Sequence, residues 1–154
     1  MREYCGSCHC GNITYAMQWP QHNAPALRRC LCTFCTKHGA VYAAHPSASI
    51  HISIARTDDI IPYQFAMRSS TFVICKTCGA LTFVASAIEG HNYAVVNANT
   101  FAQPLSNPKI VSHNFDGETI EERLRRRQAN WIGDVSFIDD DLCGLFPQNI
   151  PPSH

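Results

Sequence analysis

The sequence lacks an excess of charge of either sign and contains no long apolar run. Twelve basic and twelve acidic residues give a formal net charge of +0. This balance provides no electrostatic basis for binding nucleic acid, an anionic membrane or a strongly charged partner. No apolar run approaches the roughly 18 residues of a membrane span, and the first segment, MREYCGSCHCGN, lacks the apolar centre of a signal peptide. We therefore expect a cytoplasmic protein with no nucleic-acid and no membrane partner.

The chain also lacks internal repeats and low-complexity segments that would divide it. Its 154 residues suit one domain with a substantial core, and an apolar content of 45% excludes disorder of the whole chain. We predict a single domain over residues 1–135 and a C-terminal extension over residues 136–154, whose proline-rich end, FPQNIPPSH, is expected to be extended.

Alternating apolar residues predict a mainly β fold. The segment IHISIAR places Ile50, Ile52 and Ile54 on one face and polar or small residues on the other. Further strand patterns occur in NITYAM, AVYAAH, STFVIC, ALTFVASA, NYAVVNA and KIVSH, each bounded by turn-forming residues. Their spacing favours antiparallel sheets joined by short turns over alternating strand–helix units.

One helix is predicted near the C-terminus, at about residues 119–132. Thr119 and Glu122 form a capping-box pattern at its start, and Gly133 can end it. Two glutamates precede the run Arg125–Arg127. This run is therefore interpreted as a solvated helix face with acid–base pairs rather than a nucleic-acid site.

Nine cysteines are the most informative feature of the sequence. Eight fall into the clusters CGSCHCG, CLCTFC and CKTCG, and Cys143 lies alone. An odd number fits complete disulfide pairing poorly, and clustered cysteines in a cytosolic protein usually bind a metal or perform redox chemistry. Cys143 is most simply a small core residue.

Zinc prefers four tetrahedral thiolate or imidazole ligands in a structural site, so that two cysteine pairs must meet in space. One grouping gives a closed four-sulfur site, formed by Cys8, Cys10, Cys75 and Cys78. It leaves a triplet, Cys30, Cys32 and Cys35. Three protein ligands and an open position are typical of a catalytic zinc.

Other groupings remain open on spacing alone. Cys5 and Cys8 can pair with the CKTCG cysteines and leave Cys10 free. Cys5 can instead donate a fourth ligand to the triplet. His38 can also close the triplet, which would make that site structural.

The motifs resemble the glutathione-dependent formaldehyde-activating enzyme family, which shares its domain with centromere protein V. The resemblance rests on GSCHCG, CLCTFCTKHG and CKTCGALTF, in that order, and extends over residues 6–101. It implies an Mss4-like (β-tent) fold of curled antiparallel sheets with one C-terminal helix and two zinc ions per chain. It further implies a structural zinc at Cys8, Cys10, Cys75 and Cys78 and a catalytic zinc at Cys30, Cys32 and Cys35.

The activity that the resemblance implies is that of a carbon–sulfur lyase. Glutathione and formaldehyde, or a related small thiol and aldehyde, would combine reversibly into an adduct such as S-hydroxymethylglutathione. His38 is a candidate proton shuttle, with a turn histidine bonded to backbone as the alternative reading. Phe34 is expected to anchor its loop in the core, and Asn97 to form a turn or bind substrate.

Two other classes of function fit the same cysteines. In the first, both metal sites are structural and the chain is a binding module, or a glutathione carrier without catalysis. In the second, a water molecule at the open zinc hydrolyses a small imine or related substrate. The sequence makes no prediction of oligomeric state.

Overall fold

The computed structural model describes residues 1–20, 22 and 24–138, together with the backbone of residues 148–149. The strands in these residues are β1 (Arg2–Ser7), β2 (Ile13–Trp19), β3 (Leu27–Cys30), β4 (Tyr42–Ala43), β5 (Ser49–Ile54), β6 (Ile60–Tyr63), β7 (Thr71–Cys75), β8 (Leu81–Ile88), β9 (His91–Asn97), β10 (Ile110–His113), β11 (Asp134–Phe137) and β12 (Gln148–Asn149). The α-helices are α1 (Thr33–His38) and α2 (Ile120–Asn130). Of these described helices, neither has the length and apolar character needed to cross a bilayer.

The strands form two sheets, which confirms the predicted mainly β fold. The smaller sheet has the order β1-β2-β5-β11, and the larger has the order β10-β3-β4-β9-β8-β7-β6. Hairpin neighbours are antiparallel as expected, whereas β10 pairs with β3 and β11 with β5 in parallel. Parallel partners need a long connection between them, so these pairs join segments that are far apart in the sequence. No pattern of neighbouring residues therefore predicts the pairing.

The hydrophobic core contains side chains of both sheets. In β5, Ile50, Ile52 and Ile54 are all buried, which confirms the face predicted from alternation. In β8 all eight residues are buried, so this strand is covered on both faces. The rings of Phe83 in the larger sheet and Phe137 in the smaller sheet lie 6.3 Å apart.

Helix α2 confirms the predicted C-terminal helix and its cap. The Glu122 amide donates to Thr119 Oγ1 at 3.1 Å. Leu124 is buried on the face of the helix that packs on β8. The interpretation of Arg125–Arg127 as a solvated face is wrong in part. Arg125 is exposed and pairs with Glu121, but Arg127 is only 5% exposed because the helix turns it toward the protein interior.

Helix α1 was not predicted. It has only six residues, TFCTKH, which is too short for an apolar period to emerge. Its start depends on a cysteine, because the amide of Cys35 donates to Cys32 Sγ at 3.3 Å. Gly39 ends it in the left-handed conformation, with φ of +61°.

The predicted C-terminal extension, residues 136–154, is described in part. Its first residues belong to β11, and Gln148–Asn149 pair in parallel with the end of β8. Cys143 and the rest of the predicted extended segment FPQNIPPSH lie outside the described residues. The boundary between domain and extension stays a prediction.

Candidate functional site

Four cysteines that are distant in the sequence come together: Cys8 and Cys10 lie between β1 and β2, Cys75 ends β7, and Cys78 lies between β7 and β8. Their sulfur atoms all lie within 4.8 Å of one another. Cys10 Sγ is 3.7 Å from Cys8 Sγ and 3.5 Å from Cys75 Sγ. Tetrahedral zinc with Zn–S of about 2.3 Å places its sulfur ligands roughly 3.8 Å apart. The four sulfurs therefore fit a zinc ion with little movement, and we call this group the closed cluster.

Glycines allow both turns of the closed cluster to fold back. Gly11 has φ of +86° and Gly79 has φ of +79°, a region that other L-residues adopt only with strain. Their amides donate to the carbonyls of Cys8 at 3.2 Å and Cys75 at 2.8 Å. The glycine after each second cysteine is thus the local cause of the turn that aims two sulfurs at one point.

The closed cluster holds its thiols in unequal environments. Burial raises the pKa of the Cys75 thiol to about 11. Burial alone would also raise the pKa of Cys78. The amides of Ala80 and Cys10 stabilise its thiolate, however, and bring its pKa down to about 6. Backbone amides that favour a thiolate also favour a metal–thiolate bond.

Cys5 lies outside the closed cluster. It is exposed on β1, where its sulfur donates to Glu3 Oε1 at 3.4 Å. The groupings that used Cys5 as a ligand, either with the CKTCG cysteines or with the triplet, therefore have no counterpart among the described residues.

The triplet of Cys30, Cys32 and Cys35 forms a second group with sulfurs within 4.8 Å of one another. Cys30 ends β3, Cys32 precedes α1 and Cys35 lies inside the helix. Among the described residues no further cysteine, histidine or carboxylate joins this group. His38 is exposed at the end of α1, and its ring lies 4.5 Å from the ring of Phe34. The triplet is therefore a three-ligand site.

Electrostatic effects favour one thiolate within the triplet. A hydrogen bond from Cys35 lowers the pKa of Cys30 to about 6, and Arg126 contributes in the same direction. The bond with Cys30, together with burial, raises the pKa of Cys35. Tyr42 Oη lies 3.1 Å from Cys35 Sγ, and burial raises the pKa of this phenol. Tyr42 therefore stays protonated and donates to the sulfur whenever Cys35 is a thiolate.

The triplet lies in the wall of a cavity of about 210 Å³. The apolar part of the wall consists of Tyr42, Phe65, Phe72, Val84, Val95 and Trp131. The charged part includes Arg28, Arg123, Arg126 and Arg127, together with Asp116. A reaction at the triplet would therefore take place in a partly apolar enclosure in which guanidinium groups outnumber carboxylates.

His113 also lines the cavity and was missed in the sequence. It is half-buried in β10, and the parallel pairing of β10 with β3 places it directly beside Cys30. The sequence separation of these two residues explains the omission, because only the parallel pair brings them together.

Phe34 and Asn97, the two other residues singled out in the sequence, both have structural contacts. Phe34 packs with other aromatic rings, including Phe72 at 4.8 Å, and so anchors α1 as expected. Asn97 Nδ2 donates to the carbonyl of Leu81 at 2.9 Å, and Asn97 Oδ1 accepts from the amide of Asn99 at 3.2 Å. Asn97 thus shapes the end of β9.

Comparisons with known proteins agree with this geometry. The sequence model of a family described as glutathione-dependent formaldehyde-activating enzyme matches residues 3–116. Among solved structures, a crystal structure of a Rhodobacter sphaeroides protein is similar, with a TM-score of 0.52 and 25% identity over 67% of this chain and 91% of that chain. No curated protein matches the chain. The family match contains both cysteine groups and ends before α2 begins.

Proposed function

Since the chain belongs to the glutathione-dependent formaldehyde-activating enzyme family, we propose that it is a zinc-dependent carbon–sulfur lyase. Its substrate would be S-hydroxymethylglutathione or the adduct of a related small thiol with an aldehyde. The observation that carries this proposal is the three-sulfur group in the wall of a cavity, without a fourth ligand among the described residues. Three protein ligands and an accessible position distinguish catalytic from structural zinc sites.

The two cysteine groups would have different roles. The closed cluster would hold a structural zinc that joins two turns. The triplet would hold a catalytic zinc, whose chemistry is to bind a thiol as its thiolate by lowering the thiol pKa. With Cys35 as a metal-bound thiolate, Tyr42 would donate to Cys35 Sγ and so lower the electron density on one ligand sulfur.

Breakdown of the adduct requires a proton acceptor. When the carbon–sulfur bond breaks, the electron pair stays on sulfur, the hydroxyl proton leaves and the aldehyde carbonyl forms. We assign this proton transfer to His113, because it lines the cavity beside Cys30. His38, the candidate taken from the sequence, is exposed and packs on Phe34, outside the residues that line the cavity.

The proposal is tested by metal content and adduct turnover in matched variants. Cys32→Ser removes a triplet sulfur but keeps a side chain that can still cap α1, and Cys5→Ser is the control outside both groups. We expect two zinc ions per chain in wild type and in Cys5→Ser. We expect one zinc and a folded protein in Cys32→Ser, with the exchange between formaldehyde and S-hydroxymethylglutathione, followed by NMR, slowed to the uncatalysed rate.

Other results would identify the alternative functions. Wild type that binds glutathione at the triplet without accelerating exchange would be a carrier. Hydrolysis of a small imine without thiol exchange would indicate the hydrolase. One zinc in both wild type and Cys32→Ser would remove the basis of the lyase proposal.

A further inference from the structure

Positive charge predominates in the lining of the cavity, which contains four arginines and one acidic residue, Asp116. β3 contributes Arg28, and α2 contributes Arg123, Arg126 and Arg127. Glu118 partly compensates this charge, accepting from Arg123 Nε at 3.2 Å and from Arg126 Nε at 2.8 Å. Arg28 and Arg127 form no ion pair with a carboxylate of the described residues. Two of the four guanidinium groups thus face the cavity region without a bound counter-charge.

Arg127 is the more deeply placed of the two. Its side chain is 5% exposed. Its Nη1 donates to the carbonyl and Oγ of Ser69, each at 2.9 Å, and to Ser86 Oγ at 3.3 Å. These oxygens are neutral, and its Nε has no hydrogen-bond partner. The guanidinium group also lies 5.0 Å from the centre of the Trp131 ring and interacts electrostatically with Glu118 and Cys30, without a direct ion pair. A buried charge with no directly paired anion is costly, and an anion that enters the cavity would reduce that cost.

Arg28 faces the same space as the triplet. It precedes Cys30 by two residues on β3, so both side chains project from the same face of the strand. Its Nη2 donates to the carbonyls of Ala44 at 3.2 Å and Asn130 at 3.4 Å. These bonds hold the guanidinium group in position but leave its charge unneutralised.

The cavity constrains the size and charge of an anion that could bind there. Its volume of about 210 Å³ is below the range typical of pockets for drug-sized ligands, about 300–1,000 Å³. Much of its wall is aromatic or aliphatic, so a phosphate dianion would lose more hydration on entry than a carboxylate with a single charge. A planar carboxylate carries one charge and matches the donor geometry of a guanidinium group.

We propose that Arg28 and Arg127 bind the carboxylate of the substrate, and that the substrate is therefore the aldehyde adduct of a small thiol acid. Its sulfur would lie at the triplet and its carboxylate at the two arginines. This inference rests on the proposed lyase function and specifies the class of thiol. Arg28 lies within the residues matched by the family, whereas Arg127, supplied by α2, lies beyond them.

A different role for the arginines must be distinguished. Cys30 interacts electrostatically with both Arg126 and Arg127. The guanidinium groups would then balance the negative charge of metal-bound thiolates and bind no substrate. In that role their removal would weaken metal binding and leave the choice between acidic and neutral thiols unchanged.

Cobalt-loaded protein separates these roles without an activity assay. Binding of 3-mercaptopropionate and of its neutral analogue 3-mercaptopropionamide is measured from the change in cobalt–thiolate absorption. The closed cluster has no free position, so the change reports on the triplet. We expect wild type to bind the acid about tenfold more tightly than the amide, a ratio typical of one charge-assisted contact.

The variants Arg28→Gln and Arg127→Met are expected to lose this preference while they bind the amide as wild type does. Arg125→Met is the control, because Arg125 is exposed on the same helix and does not line the cavity. Should Arg127→Met fail to fold, Arg28→Gln alone decides the question.

Equal affinity of wild type for acid and amide would overturn the carboxylate site and leave the lyase proposal intact. Weaker cobalt binding at the triplet of Arg28→Gln, with the thiol preference unchanged once the site is saturated with cobalt, would also overturn it in favour of charge balance. Absence of any spectral change with either thiol would overturn both proposals, because no thiol would then reach the triplet metal.

Discussion

The closed cluster lies at the ends of two hairpins, whereas the triplet lies where a strand enters a short helix. In the closed cluster, glycines at positive φ turn the backbone so that each segment supplies two sulfurs. In the triplet, one segment supplies all three sulfurs, and Tyr42 and the cavity occupy the remaining surroundings. Cysteines of similar spacing thus bring four potential metal ligands together in one place and three in the other. The two groups differ because a second cysteine pair lies opposite the first in the closed cluster, whereas Tyr42 and the cavity lie beside the triplet.

The largest expected difference between the clusters is in folding. Cys75→Ser should lose the closed metal site and fail to fold, because structural zinc contributes on the order of 10 kcal/mol to folding in small zinc domains. Circular dichroism and zinc content check this result, with Cys5→Ser as the control. A folded Cys75→Ser protein with an unchanged melting temperature would remove the distinction between the two clusters.

The next effect concerns the reaction itself. His113→Gln should lower the rate of adduct breakdown by about 100-fold, the lower range for loss of a general acid–base group. His38→Gln should leave the rate close to that of wild type, since His38 is exposed. Both rates are measured at saturating adduct with zinc content verified. The reverse ranking would return the proton transfer to His38.

A smaller effect is expected on zinc affinity, which should depend on Tyr42 at the triplet but not at the closed cluster. Tyr42→Phe removes the 3.1 Å hydrogen bond to Cys35 Sγ and should weaken zinc binding at the triplet about tenfold. The closed cluster should retain its affinity. Competition with a chromophoric chelator resolves the two sites. Equal weakening at both sites would mean that Tyr42 acts through the fold, since its ring is buried in the shared core.

The smallest effect tests the glycine turns. Gly79→Ala should cost about 1 kcal/mol of folding free energy, because its φ of +79° strains any residue with a Cβ while the space around that Cβ is open. Gly90→Ala, at φ of +78° between β8 and β9, should cost a similar amount. Only Gly79→Ala should also weaken zinc binding at the closed cluster. Denaturant unfolding and zinc competition measure the two quantities.

Local patterns in the sequence predicted the features that depend on neighbouring residues. Alternation identified the buried face of β5, and the capping pattern located the start of α2 at Thr119. The cysteine spacings allowed several groupings, and the family resemblance favoured the two groups that the structure brings together.

The features that were missed or misread depend on contacts between distant residues. His113 lies beside Cys30 of the triplet because β10 pairs in parallel with β3. The burial of Arg127 depends on α2 packing over Ser69 and Ser86. The short helix α1 was missed for the opposite reason, because its cap is a cysteine sulfur, a residue type that capping rules do not include.

The closed cluster also acts as a crosslink in the chain. Cys10 and Cys75 are 65 residues apart, so a metal shared by them closes a long loop, whereas the triplet closes only a local one. If the metal stays bound to the unfolded chain, the relation used for disulfides gives a loss of entropy from that chain equivalent to about 4 kcal/mol for a loop of this length. Release of that metal would therefore loosen the unfolded ensemble as reduction of a disulfide does. Unlike a disulfide, this link would be controlled by the supply of metal.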